Sequence, residues 1–423
     1  MHQLSDQAAS RNIAVFVNLA KFVQLAALTP PIVTGIAQRA TQFGGAEQHA
    51  LETAALVTTT ATIGSICAII GALSFGALSD MRLTRAHQRW YWVALGSAIG
   101  AAGLVTLSFA ASVPQLIAGW SIAQLGFSGS MAVLRTILGS ALTSQRRRGA
   151  VFLVLGGYGG MSLALVALML MPSRIWETTL GFAALSLAIP FIFLASVRRI
   201  VPPQEAPAAA PSAPSIAGPA QLSRGFVLLV QGMAGAVLAA FVTYHPLDVV
   251  ERVGATGDAA TRLTVGVLIA AAIGLIAASI VLLVRPTLLA NARRVLIFTG
   301  VSLAASLALR AVDLPIWAML LTAALSGFAV GVNSSALLAT ALEHAPAQRS
   351  GRYIGTFSAV GVLGQLAGPI LGLSALAVME WSVGPSGSAP VRMVFAWLAV
   401  LPLVWAIIAA AHRSKRVRAT VQA

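Results

Sequence analysis

Twelve stretches of about 18 residues or more are almost wholly apolar, and that length matches the ~30 Å hydrocarbon core of a bilayer at ~1.5 Å per helical residue. Lipid offers backbone amides no hydrogen-bond partner, so each stretch has to be a helix that satisfies its own backbone. The spans read as 12–38, 51–77, 90–111, 114–141, 149–172, 177–197, 225–247, 262–284, 295–312, 314–342, 353–379 and 391–411. Charged residues make up only 9% of the chain, against ~25% in soluble domains. Only Lys21 and Arg135 fall well inside a span, and no Asp or Glu does. Lys21 sits about nine residues into the first span, ~13 Å deep. An ammonium there costs at least ~2.5 kcal/mol on insertion scales, so a substrate, a partner or a cavity is expected to face it. Snorkelling to the interface is the alternative for both residues.

The net charge of +15 is spread in short clusters between spans, which points to anionic lipid headgroups and away from nucleic acid as the partner. Arg146, Arg147, Arg148 and the stretch from His412 to Arg418 are the densest such clusters. With both termini in the cytoplasm, nineteen of the 27 Lys and Arg lie on that side and six lie outside, with Lys21 and Arg135 the remainder. That asymmetry orients the chain in the cytoplasmic membrane. Residues 1–11 are polar and show no cleavage site, so they read as a cytoplasmic lead-in. Cys67 is the single cysteine, which excludes an intrachain disulfide.

Residues 198–224 are rich in Pro and Ala and read as an extended cytoplasmic linker. It separates a six-span half, 1–197, from a second, 225–423, with a short basic tail. The halves echo each other. Gly126-Phe127, Gln145 to Gly149 and Gly159 recur as Gly327-Phe328, Gln348 to Gly351 and Gly361, offset by 201 to 203 positions. An internal duplication follows, giving two pseudo-symmetric six-helix halves in an all-α membrane protein.

The loop after the second span, Gly76-Ala77-Leu78-Ser79-Asp80-Met81-Arg82-Leu83-Thr84-Arg85, resembles the cytoplasmic signature of the major facilitator superfamily of secondary transporters. Gly76, Leu78, Asp80 and Arg85 match that signature, whereas Met81, Leu83 and Thr84 depart from it. The resemblance extends over the whole chain and is to members of the bacterial drug and metabolite type. It implies that Asp80 locks a closed state through a basic residue and the N-terminus of the eleventh helix, where the macrodipole favours a carboxylate. Arg135, on the same side, is a candidate partner for Asp80, so Gly76, Asp80, Arg85 and Arg135 form the expected cytoplasmic gate. The antiporter-like signatures are fainter. Ser121 to Gly126 matches only at Gln124, and a glycine–proline pattern falls in the eleventh span, Gly364 to Gly372.

The resemblance also implies a site near the midplane between the halves. Candidate lining residues are Asn18, Lys21 and Gln24 on the first span, Trp120 and Gln124 on the fourth, Gln231 and Tyr244 on the seventh, Asn333 on the tenth and Gln365 on the eleventh. The competing reading for the amides is packing against a neighbouring helix, at about 0.6 kcal/mol each. Coupling candidates are Lys21, Glu52, His245 and Asp248, with a proton as the coupling ion.

The expected function is therefore secondary active transport of a small organic molecule, anionic or neutral and polar, by alternating access, with efflux favoured over uptake. Proton-coupled uptake of a sugar, glycoside or organic acid is the alternative, and a non-transporting membrane sensor on the same fold is a rival of another class. No catalytic, metal-ligand or nucleotide-binding motif is present, so no enzyme activity and no cofactor are expected, and the chain is expected to act as a monomer.

Overall fold

In the computed structural model of the chain the described residues are 2–44, 50–81, 88–141, 145–200, 222–253, 257–383 and 391–411. They form thirteen α-helices and no strand. These are α1 (His2–Pro30), α2 (Ile36–Gly44), α3 (Ala50–Asp80), α4 (Gln88–Ser108), α5 (Val113–Ala141), α6 (Arg146–Leu170), α7 (Ile175–Ile200), α8 (Arg224–Val253), α9 (Gly257–Val284), α10 (Ala292–Arg310), α11 (Ile316–His344), α12 (Ser350–Val383) and α13 (Met393–Ala411). Twelve stretches are long and apolar enough to cross a bilayer, so the chain is a multi-pass membrane protein. Most of the linker, residues 201–221, lies outside the described residues.

α1 and α2 make a single crossing, Asn12–Ala40. Pro30 and Pro31 have no amide proton, so the ladder cannot run through them at i+4. The chain closes instead through a π turn, Pro31–Gly35, in which Ile36 donates to the Pro31 carbonyl. The two prolines thus leave one wide turn between α1 and α2 rather than a break.

The chain divides into two compact units, Met1–Gln204 with Ala345–Leu366, and Glu205–His344 with Ala367–Ala423. The first turns of α12 therefore belong to the first unit, although they follow the linker in sequence.

Inside each unit the same neighbours recur. α3 packs on α5 and α4 on α7 in the first; α9 packs on α11 and α10 on α13 in the second. α6 touches α1 at Gly160 against the backbone of Phe22, and α12 touches α8 at Gly368 against that of Ala236. Such close approaches exclude any Cβ, and small residues at helix contacts are how helices pack where lipid gives no hydrophobic drive.

Helix ends are finished by arginines from neighbouring helices. Arg39 donates to the Ser108 carbonyl at the end of α4 (2.5 Å). Arg252 donates to the Arg310 and Val312 carbonyls at the end of α10. Arg293 donates to Ala409 and Ala410 at the end of α13. The last carbonyls of a helix have no intrahelical donor and carry its negative dipole end, so a guanidinium there satisfies both. The acceptors Ser108 and Arg310 lie 202 positions apart, in register with the offset of the sequence repeat.

Candidate functional site

In the first unit, Gly156 and Gly157 of α6 leave room for the side chains of Asn18 and Lys21, where a Cβ would collide. Lys21 is 6% exposed, and its Nζ donates to the Leu153 carbonyl at 3.0 Å. Beside it, Asn18 Oδ1 is buried with no hydrogen-bond partner. Gln24 turns elsewhere. Its Nε2 donates to Ser97 Oγ at 2.8 Å and Ser130 Oγ at 2.7 Å, tying α1 to α4 and α5 in a fully buried position. Six residues along a helix of 3.6 per turn amount to a rotation of about 120°, so Asn18 and Gln24 address different neighbours. The three candidates on the first span are thus split between two interfaces.

Arg135 of α5 donates to Ser358 Oγ of α12. The Tyr158 phenol acts on it electrostatically, and Arg135 is itself the charge that acts on Lys21. Among the described residues neither cation is paired with a carboxylate. Trp120 is only 2% exposed, packed with Leu104, Leu107 and Phe127 and with its indole edge over Gly64. It is a core residue rather than a lining one, and Gln124 beside it is partly buried.

At one end of this unit Asp80 meets the start of α12. Its Oδ1 accepts from the Gly351 amide at 2.9 Å and its Oδ2 from the Arg352 amide at 2.8 Å. Arg89 lies 3.3 Å from Oδ1 and also donates to Ser350 and Ser140. Two freed amides and a helix dipole make this a strong carboxylate site. The expected Asp80–Arg135 pair is not formed. Arg89, one of the basic residues counted on the cytoplasmic side, is the basic partner, and Arg135 reaches α12 further along its length through Ser358. Gly76 faces Gly351 and Gly355 closely enough that any side chain there would strike backbone, which lets Asp80 reach the α12 amides. Arg85 lies outside the described residues, as does the side chain of Glu52.

The second unit holds a different arrangement. Asp248 of α8 is fully buried and takes Arg252 Nε at 2.6 Å and Arg310 NH2 at 3.2 Å. Arg310, also fully buried, bonds His245 Nδ1 through the same NH2, and its guanidinium lies 5.0 Å from the Phe241 ring centre and 4.8 Å from that of Phe395. His245 Nε2 is 3.2 Å from the Thr264 carbonyl, which fixes the tautomer with its proton on Nε2 and leaves Nδ1 to accept from Arg310. Arg252 also reaches Asp313, at 3.7 Å. Asp248 and Arg310 stand at the ends of the spans read as 225–247 and 295–312, and the structure buries both. Arg310 lies inside the sequence-read span 295–312, and that was the available signal that it belongs to the bundle.

The remaining candidates are placed as follows. Tyr244 donates to the Pro369 carbonyl at 2.7 Å, and its ring fills the space over Gly372. Asn333 is buried and accepts from Thr299 at 3.3 Å. Gln231 is partly buried, and Gln365, which belongs to the first unit, is exposed.

No family model and no curated protein matches the sequence. Solved structures do. The human organic anion transporter MFSD10 (TETRAN) aligns with a TM-score of 0.70 at 16% identity, over 95% of this chain and 99% of that one. A mutant of the nucleoside transporter NupG aligns with a TM-score of 0.61 at 15% identity, over 94% and 99%. The chain has the major facilitator fold. Asp80 makes its contact with the start of α12 with Met81, Leu83 and Thr84 in the loop that follows. An amide contact needs only the carboxylate and the close approach of Gly76, both of which this chain retains.

Proposed function

We propose that this protein is a secondary transporter of small organic anions that works by alternating access. The observation behind the reading is the pair Lys21 and Arg135, two cations in the bundle of one unit, each in the other's field and neither paired with a carboxylate. Burying like charges together is unfavourable, and such groups in a membrane span are characteristically functional. An anionic substrate supplies the missing charge. The unpartnered Asn18 Oδ1 beside Lys21 adds an acceptor, which suits an anion that carries a neighbouring donor such as a hydroxyl or amide. The human neighbour in fold is an organic anion transporter, in keeping with this class.

The Lys and Arg distribution supports a cytoplasmic membrane with both termini inside. The signature loop supports an efflux carrier of the bacterial drug and metabolite type, acting as a monomer among anionic lipid headgroups. Counterflow in proteoliposomes tests the reading. Trapped organic anion is expected to drive uptake of labelled anion, and trapped organic cation is not. Equal counterflow of cations would contradict it.

A further inference from the structure

Arg310 of α10 has no exposed surface, yet much of its guanidinium has nothing to bond. The Nη2 group is engaged, with His245 Nδ1 and with Asp248 Oδ2 at 3.2 Å. Nε and Nη1 are buried without a hydrogen-bond partner, so one N–H on Nε and two on Nη1 lack an acceptor. The guanidinium carbon lies over the Phe241 and Phe395 rings, 5.0 and 4.8 Å from their centres, so aromatic carbon closes that side. Donors left unsatisfied on a buried cation are rare in native proteins and call for a water or an ion.

The surrounding charge decides between those two. Arg310 and Arg252 share one buried carboxylate, Asp248, which gives Oδ1 to Arg252 at 2.6 Å and Oδ2 to Arg310. His245 adds no charge, because Nε2 keeps its proton for the Thr264 carbonyl and Nδ1 accepts from Arg310. The other acid, Asp313, is 76% exposed and lies between Arg252 at 3.7 Å and Arg392 at 3.6 Å. Three arginines thus meet two acids, and the deficit falls on the buried end. A water would satisfy the donors and leave the positive charge, whereas an anion answers both.

The end of α10 does not itself require this guanidinium. The Arg310 carbonyl takes Arg252 just as the Ser108 carbonyl takes Arg39 at the end of α4, 202 positions earlier. A serine serves at the matching place in the first unit, so the buried arginine side chain is an addition made in the second.

We propose that Nε and Nη1 of Arg310 bind a small inorganic anion, chloride by preference, inside the second unit. A monatomic halide carries one charge, accepts from several N–H groups at once and needs no donor on its aromatic side. With no exposed surface on Arg310, the smallest anions are the ones that fit. Bound there, chloride completes the packing of α8, α10 and α13 around Arg310. The site is separate from Lys21 and Arg135 and does not rest on the transport reading.

The full chain, purified in detergent, is titrated with sodium chloride in place of sodium sulfate at constant ionic strength and pH, and its thermal midpoint is read. Sulfate stabilises folded chains by exclusion from their surface, so the general salt effect of this exchange has the opposite sign. The wild-type midpoint is expected to rise saturably by about 2 °C or more. Lys21→Met is expected to keep the rise and Arg310→Met to lose it. Should Arg310→Met fail to fold, Arg310→Met with Asp248→Asn removes both charges together and must also lose it. A wild-type midpoint that does not rise overturns the proposal and leaves the donors to water. A rise that survives in either Arg310 variant overturns it as well. A rise lost in Lys21→Met but kept in the Arg310 variants puts chloride at the cation pair of the first unit, which overturns this inference and leaves the transport reading standing.

Discussion

In the first unit Lys21 and Arg135 meet a carbonyl, a hydroxyl and a phenol, whereas in the second Arg310 and Arg252 share a buried carboxylate and hold other partners besides. Both groups sit inside spans, where charge is expensive. They differ in whether a counter-charge is present. The second cluster contains its own, Asp248, between two arginines. The first has two cations and, among the described residues, no carboxylate paired with either. A buried cation with no acid reads as a site for an anion.

That contrast can be broken first at Lys21. Lys21→Met removes an unpaired buried charge, so it should leave the thermal midpoint unchanged or higher while organic-anion counterflow falls by roughly thirtyfold or more, the equivalent of about 2 kcal/mol for a desolvated ionic contact. A variant that keeps counterflow would reduce Lys21 to a packing residue for the glycines of α6.

Asp80 marks a third charged group, and it should behave as a structural one. Asp80→Ala removes two charge-assisted amide bonds and the carboxylate partner of Arg89, at a cost of about 2 kcal/mol or more that a lower thermal midpoint would register. Charge reversal at Asp80 and Arg89 together should recover part of the loss, while the same swap at Asp80 and Arg135 should not. Rescue through Arg135 would contradict the placement described above.

The smallest effect is expected at Gln24. Its bonds to Ser97 and Ser130 are contacts between helices of one unit, worth about 0.6 kcal/mol each, so Gln24→Leu should change anion transport by less than about threefold. A large loss would move Gln24 back among the ligand-binding residues.

The spans, the repeat and the Asp80 signature were legible in sequence because each depends on local pattern. Hydropathy over about 20 residues reports where a backbone must bond to itself in lipid, and a loop motif reports a close approach through its own glycine. The charge partners were not legible. Asp248 and Arg310 are 62 positions apart and Arg135 and Ser358 are 223 apart, so hydropathy could mark these residues only as polar interruptions and not as partners. Arg89 was hidden in the same way, since a basic residue beside a span looks like a lipid anchor until the structure turns it toward a neighbouring acid. On the first span, the spacing of Asn18, Lys21 and Gln24 suggested one face. Which helices stood against that face decided their roles, and this information is absent from a single periodic pattern.

On the reading proposed here, an anionic substrate supplies the negative charge that Lys21 and Arg135 lack among the described residues. The direct measurement is the thermal midpoint of the purified chain with a series of organic anions and their neutral amide counterparts, in wild type and in Lys21→Met. Anions are expected to stabilise the wild type, the matched amides are not, and the effect is expected to disappear in the variant. Stabilisation by the neutral amides to the same degree, or by anions in Lys21→Met as in wild type, would contradict it.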